Sequence, residues 1–237
     1  MSAQLQPPKP PRPVFDTVFA FPPNRDTQGG TAYFIVDNSP LQPQGNLLID
    51  APPWTQTTQD FLAARGGVRW WFITHRGGLG QAARIQKALN CKLVIQEQEA
   101  YLLPGTPTTT FHQDFCFNSQ TEALWTPGHS PGSACLYHRN YGGVLFTGRH
   151  LLPNSRGEIQ PLRLAKTFHW PRQLAQVKAL QQRFREADLA YICPAANLGF
   201  LRGQLTLDRA FDRLQQIDLV SSQVQALYPE QEISIKL

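Results

Sequence analysis

No apolar run in this chain approaches the roughly 20 residues that a membrane-spanning helix needs, so no membrane segment is expected. The N-terminus has no apolar stretch followed by a small-residue cleavage site, and a secretory signal is not expected either. The four cysteines, Cys91, Cys116, Cys135 and Cys193, form no Cys-x-x-Cys pair, which excludes a zinc knuckle or a thioredoxin-type motif. Each lies in or beside an apolar stretch. Buried reduced thiols and a cytoplasmic location are therefore expected. Although the net charge is +5, no block of five or six Lys/Arg occurs. Nucleic-acid binding thus ranks last among the functions considered. Between Phe61 and Phe111 there is no aspartate and only one histidine, His75.

What is present is enough for one sizeable domain. The 237 residues are 41% hydrophobic, and neither a short-period repeat nor a long linker divides them. Pro7, Pro8, Pro10, Pro11 and Pro13 make a proline-rich arm over 1–13, and a single domain is expected over 14–237. Strand-like runs are Val14 to Phe21, Thr31 to Asp37 and Asn46 to Asp50. Helix and strand then alternate: a helix over 55–65, a strand over 69–74, a helix over 79–89, a strand over 91–95 and a short helix over 96–103. Three short strands follow, over 122–126, 133–138 and 143–147. Helices are predicted over 171–187 and 207–220, with Ala190 to Pro194 a terminal strand between them. Arg172, Lys178, Arg183 and Arg185 fall on the first of these helices and read as its solvated face. The order β-rich, α/β, β-rich, α/β suggests two similar halves stacked as an α/β (α+β) four-layer αββα sandwich.

Five local signatures carry chemistry. A strand ends in Leu48-Ile49-Asp50. The next ends in Thr74-His75 and runs on as Arg76-Gly77-Gly78-Leu79-Gly80. Then come Thr126-Pro127-Gly128-His129-Ser130-Pro131-Gly132-Ser133, Phe146-Thr147-Gly148-Arg149 and Cys193-Pro194-Ala195-Ala196-Asn197. Together they resemble the metallo-β-lactamase superfamily, particularly its glyoxalase II-like hydrolases, over most of the chain.

The resemblance implies a metal site at one edge of the sandwich, but this sequence departs from it at most ligand positions. Where the family has His-x-His-x-Asp-His, only His75 remains, with Gly77, Leu79 and Gly80 at the later positions. The T-P-G-H-S segment keeps its histidine, His129. The aspartate that would bridge two metals is replaced by Arg149, a fixed cation where two dications would have to sit. Ala196 replaces the last histidine, and the amide of the adjacent Asn197 is a poor zinc ligand.

Two imidazoles, His75 and His129, are too few for tight zinc binding, which needs about four donors. The leading expectation is a non-catalytic protein that binds a partner protein or a small anionic ligand, with no cofactor and no catalytic residue. Asp50, Arg76, Arg149, His150 and Asn197 are the candidate pocket residues, and an Asp50–Arg149 ion pair, direct or through water, is expected to replace the metal charge. The alternative is a hydrolase with a reduced single-metal zinc site on His75 and His129.

Overall fold

The computed structural model describes residues 9–38 and 45–220. Pro7, Pro8 and the C-terminal residues from 221 on lie outside the described residues. Two sheets hold the strands. The first has seven in chain order: β1 (Arg12–Phe15), β2 (Val18–Ala20), β3 (Tyr33–Ile35), β4 (Leu47–Ile49), β5 (Trp70–Ile73), β6 (Lys92–Gln96) and β7 (Thr108–Phe111). The second is ordered β14 (Tyr191–Pro194), β11 (Val144–Gly148), β10 (Ala134–His138), β9 (Thr121–Trp125), β8 (Asp114–Asn118). A two-stranded ribbon joins β12 (Leu152–Pro153) to β13 (Ile159–Gln160).

The layering follows from strand alternation, because successive side chains point to opposite faces. In β5, Trp70 and Phe72 face the second sheet, while Trp71 and Ile73 face the helices α1 (Gln56–Ala63) and α2 (Ala82–Leu89). In β10, Ala134 and Leu136 face the first sheet. Cys135 and Tyr137 face α3 (Trp170–Arg183) and α4 (Ala210–Gln215). Three apolar cores result, one between the sheets and one beneath each helix pair. Each fully buried large aliphatic or aromatic side chain contributes roughly 1.5–3 kcal/mol, so strands apolar on both faces, such as Trp70–Ile73, hold the four layers together.

Local signals set the helix ends. Thr55 caps α1 by accepting from the Thr58 amide, and His169 caps α3 through Nδ1 at 3.1 Å from the Arg172 amide, with Pro171 in the first turn. The first predicted strand is instead a hairpin, β1 and β2, with its turn at Asp16-Thr17, and it already includes Arg12 and Pro13. Helix α2 starts three residues later than expected because Gly80 takes a left-handed conformation (φ +49°).

The helix predicted over 207–220 shrinks to Ala210–Gln215. Leu207 exchanges both backbone hydrogen bonds with Ile192 and so extends the sheet, and Arg209 is left-handed (φ +48°). Leu207, Ala210, Leu214 and Ile217 are nevertheless all buried. Cys116 corrects the expectation of four buried thiols. Phe115 and Phe117 pack inward from edge strand β8, which leaves Cys116 exposed on its outer face.

Candidate functional site

The loops that follow the C-terminal ends of β4, β5, β9 and β11 meet at one end of the sandwich. Asp50, immediately after β4, has left-handed backbone (φ +57°), uncommon for a residue with a side chain. The strain turns its carboxylate back toward β5. There Oδ1 accepts from the Thr74 amide at 2.8 Å, and the Thr74 hydroxyl lies 2.9 and 2.7 Å from the two carboxylate oxygens. The same hydroxyl lies 2.8 Å from His75 Nδ1. Because Thr74 has one proton to donate and the carboxylate takes it, the network assigns the second proton to His75 Nδ1. His75 Nε2 is then a bare acceptor, and it is buried without a partner. This carboxylate–hydroxyl–imidazole chain orients a ring nitrogen as metal-ligating histidines are oriented.

The backbone ahead of that nitrogen is closed. A β-carbon on Gly77 would lie 2.8 Å from His75 Nε2, and one on Gly78 would lie 2.2 Å from Asp50 Oδ1. At Gly80 a β-carbon would meet Ala51 Cβ at 2.7 Å. The loop therefore follows a path open only to glycine, and it wraps tightly around Asp50 and His75. A His at 77 or 80, where the resemblance would place ligands, is sterically excluded unless the loop moves.

His129 stands edge-on to His75, ring centroids 5.2 Å apart, with its Nδ1 unpartnered. It is carried between β9 and β10 and covered by the segment entering α3: its carbonyl accepts from the Phe168 amide at 3.1 Å, and that of Gly128 accepts from the His169 amide at 2.9 Å. His150 is wholly buried next to it, with both ring nitrogens unpartnered, while its carbonyl accepts from Gln173 Nε2 at 2.9 Å.

Arg149 reaches across the cluster to the loop after β2. Its Nη2 donates to the carbonyls of Thr27 and Gln28 at 2.9 and 3.0 Å, and its Nε is unpartnered. It is near enough to Asp50 to lower that carboxyl's pKa, yet the two form no direct ion pair. The expected Asp50–Arg149 pair is not a direct bridge: Thr74 bonds Asp50, and backbone carbonyls take the guanidinium. Asn197 lies outside the cluster, exposed and donating to the Pro153 carbonyl at 3.1 Å.

Two further participants, Glu99 and Ser130, are given no role of their own in the sequence reading. Glu99, in the two-turn 3-10 helix Glu97–Leu102, is 1% exposed, and its Oε1 lies 3.7 Å from Arg76 Nε. It lies close enough to Ser130 and Gly132 for both to oppose the rise in its pKa. Its acidic neighbour Glu97 pairs with His112 at the surface, so nothing in the spacing marks Glu99 as the buried one. Ser130 carries a signal that was legible, since Gly128-His129-Ser130-Pro131-Gly132 has Gly-x-Ser-x-Gly spacing. A nucleophile elbow needs a strand-to-helix turn and an exposed hydroxyl. Here the turn joins two strands, and Ser130 is 1% exposed with no imidazole bonded to it.

Burial dominates the electrostatics. It raises the Asp50 pKa to about 6 against the opposing hydrogen bonds from Thr74, and it also raises that of Glu99. Desolvation, with Arg149 and Arg76 adding to it, lowers His129 to about 4. His150 falls to about 3, and His75 well below its usual value. These imidazoles are therefore neutral at pH 7, beside two arginines. All the unpaired buried polar side-chain atoms among the described residues belong to this cluster and the contacting Gln173, except those of Trp70 and His138.

The donor set does not fit a metal. Asp50 is engaged by Thr74, the Gly77 backbone crowds His75, and Arg76 and Arg149 bring two fixed cations. No group of three or more His, Cys, Asp or Glu among the described residues is placed to hold an ion.

Replacing the Thr74 hydroxyl tests the internal network. Thr74→Val is expected to lower stability by about 1–3 kcal/mol, because it leaves a buried carboxylate and His75 Nδ1 short of a partner. It should also raise the Asp50 pKa further, since Thr74 now lowers it. Urea titration and carboxyl-carbon NMR of Asp50 would check both effects, and an unchanged midpoint would contradict the network.

Neither a family model nor a curated relative matches the chain. Solved structures do match. MIM-2 metallo-β-lactamase has a TM-score of 0.64 at 16% identity, covering 94% of this chain and 92% of that one. ETHE1 from Myxococcus xanthus has 0.62 at 12%, covering 90% and 91%. TTHA1623, solved in a di-iron-bound form, has 0.56 at 18%, covering 74% and 93%. The chain has the metallo-β-lactamase fold, an αββα sandwich, as the motifs implied.

Proposed function

We propose that this is a non-catalytic protein on a hydrolase fold, which acts by binding and whose former metal site serves as an internal structural cluster. The observation that carries this reading is the closure of the His-Arg-Gly-Gly-Leu-Gly loop onto His75 and Asp50, where β-carbons at Gly77 and Gly78 would clash. Arg149 supports it as a clasp, tying the end of β11 to the Thr27–Gln28 backbone and placing positive charge inside the cluster. Asp50, His75, His129 and His150 are all buried, His129 the most exposed of them at 7%, so none of these four groups is presented to solvent.

Arg76 and Arg149 are both engaged internally, with Glu99 and with backbone carbonyls. That engagement counts against a small anionic ligand at this site, so a partner protein is the form of binding proposed. The second reading, a hydrolase with a single-metal site, rests on the edge-to-face approach of His75 and His129. TTHA1623, which shares the fold and was solved in a di-iron-bound form, makes it worth the same experiment.

Protein purified without chelator is expected to contain less than about 0.1 equivalent of zinc, manganese or iron by mass spectrometry, because two imidazoles without a third donor bind weakly. Adding zinc should leave the melting temperature unchanged. Stoichiometric metal, or a rise of several degrees, would overturn the non-catalytic reading and favour the hydrolase. Arg149→Asp, which restores the carboxylate position, is expected to gain no metal while losing the clasp.

A further inference from the structure

The unpaired nitrogens of Trp70 and His138 stand apart from that cluster and share one place. Trp70 opens β5 and His138 closes β10, so both lie at the end of the sandwich opposite His75 and His129. A cleft of about 730 Å³ opens there between the two sheets, within the range of small-molecule sites, roughly 300–1,000 Å³. Its walls include Ile35, Leu47, Phe117 and Tyr141, and its rim carries amides and hydroxyls such as Gln120 and Ser119.

The charge of the lining narrows the ligand. No lysine or arginine is among the described lining residues, and the charged one is Asp37, whose Oδ2 accepts from the Gly45 amide at 2.8 Å. Burial holds His138 neutral, its pKa pushed down to about 4. Arg69 and Lys92 stand against the Trp70 ring, at 5.9 and 5.1 Å from its centroid, but neither lines the cleft, and a cation would meet one carboxylate already engaged.

The aromatic faces are also taken. Phe115 and Phe117 meet Trp70 edge-on at 5.9 and 5.7 Å, Lys92 Nζ lies 5.1 Å from its centroid, and Phe15 stacks on Tyr141 at 4.5 Å. Recognition here is by ring edges rather than by stacking. The Trp70 indole N–H can only donate. The Thr121 hydroxyl, donating to His138 Nδ1 at 2.8 Å, places the neutral ring's one proton on Nε2, which is then a donor for a second contact.

We propose that this cleft binds an uncharged small molecule with an apolar body and a carbonyl-type acceptor, held by the Trp70 N–H and His138 Nε2. Neither nitrogen touches bulk water as the rings stand, so binding tilts a ring toward the cleft. The new hydrogen bond offsets that tilt, because an unpaired buried N–H is costly where it is. The site is independent of the fate of the metal cluster.

Three isosteric probes separate the classes: benzamide, benzoate and benzamidinium, titrated at millimolar concentration into the full chain and followed by amide NMR. Benzamide is expected to shift resonances around the cleft, with both charged isosteres at least about tenfold weaker. Trp70→Phe removes the N–H and keeps most of the apolar volume, and it should weaken benzamide about tenfold, the loss of one good hydrogen bond. Ser119 is exposed at the rim, so Ser119→Trp obstructs the mouth without touching the core. It should also weaken benzamide, and it decides the matter if Trp70→Phe fails to fold. Equal binding of the three probes, shifts scattered over the surface, no shifts at all, or benzamide affinity unchanged in the folded variants would each overturn the proposal.

Discussion

Acidification from pH 7 to pH 4 is expected to unfold this protein. His129 and His138 are held near a pKa of about 4 and His150 near about 3, and His75 is also strongly lowered, all from a usual value of 6.5. The folded state keeps these rings neutral while the unfolded chain protonates them. Their contribution is complete above pH 6.5 and is lost as pH falls toward 4. Asp50 and Glu99 act in the opposite direction. Their folded pKa values are raised, Asp50 from 3.8 to about 6, so the folded state takes up those protons first and gains stability as pH falls through that window.

Four imidazoles against two carboxyls leave the unfolded chain binding about two more protons near pH 5, at roughly 1.4 kcal/mol per proton per pH unit. The slope is therefore about 3 kcal/mol per pH unit, large against a total stability of about 5–15 kcal/mol. Urea midpoints measured at pH 7, 6, 5 and 4 would show it. A midpoint constant from pH 6.5 to 4 would mean that the histidines are hydrated and the cluster is more open than described.

The second large effect is steric. Gly78→Ala places a methyl group 2.2 Å from Asp50 Oδ1 and 2.6 Å from its Cγ. Asp50 cannot yield cheaply, because its carboxylate is buried and bonded to Thr74. The substitution either moves the loop or breaks those bonds, and a loss of about 3 kcal/mol or more is expected from overpacking plus a disturbed buried carboxylate. Gly199→Ala is the control. Nothing lies within 4 Å of its β-carbon position, so a change below about 0.5 kcal/mol is expected for such a surface position. Comparable losses in the two variants would remove the argument that the loop's path is set by contact with Asp50.

Local pattern made several parts of the fold legible. Leu47–Ile49, Trp70–Ile73 and Ala134–His138 are short and dense in β-formers, and each lies where expected. Strands β7 and β8 escaped notice, since Thr108-Thr109-Thr110 offers no apolar alternation and Cys116 and Asp114 are exposed within an edge strand. Their places are fixed by pairing with β6 and β9. The end of the chain misled for a related reason. Leu207 to Ile217 has a helical spacing of apolar residues, but backbone pairing with Ile192 wins at Leu207.

The site divides in the same way. Asp50, His75, His129 and Arg149 were recognisable as a group because the motifs around them are local runs of sequence. Glu99 was not, because nothing near it in sequence sets it apart from Glu97.

From sequence alone came the four-layer order and the absence of most metal-ligating side chains, since both follow from residue type and spacing along the chain. Only the tertiary structure decided how the remaining charges are satisfied: Asp50 by Thr74, Arg149 by the Thr27 and Gln28 carbonyls, Arg76 by Glu99. Those partners lie up to 122 residues apart. Which buried group finds which partner depends on distances that folding creates, and no spacing along the chain encodes them.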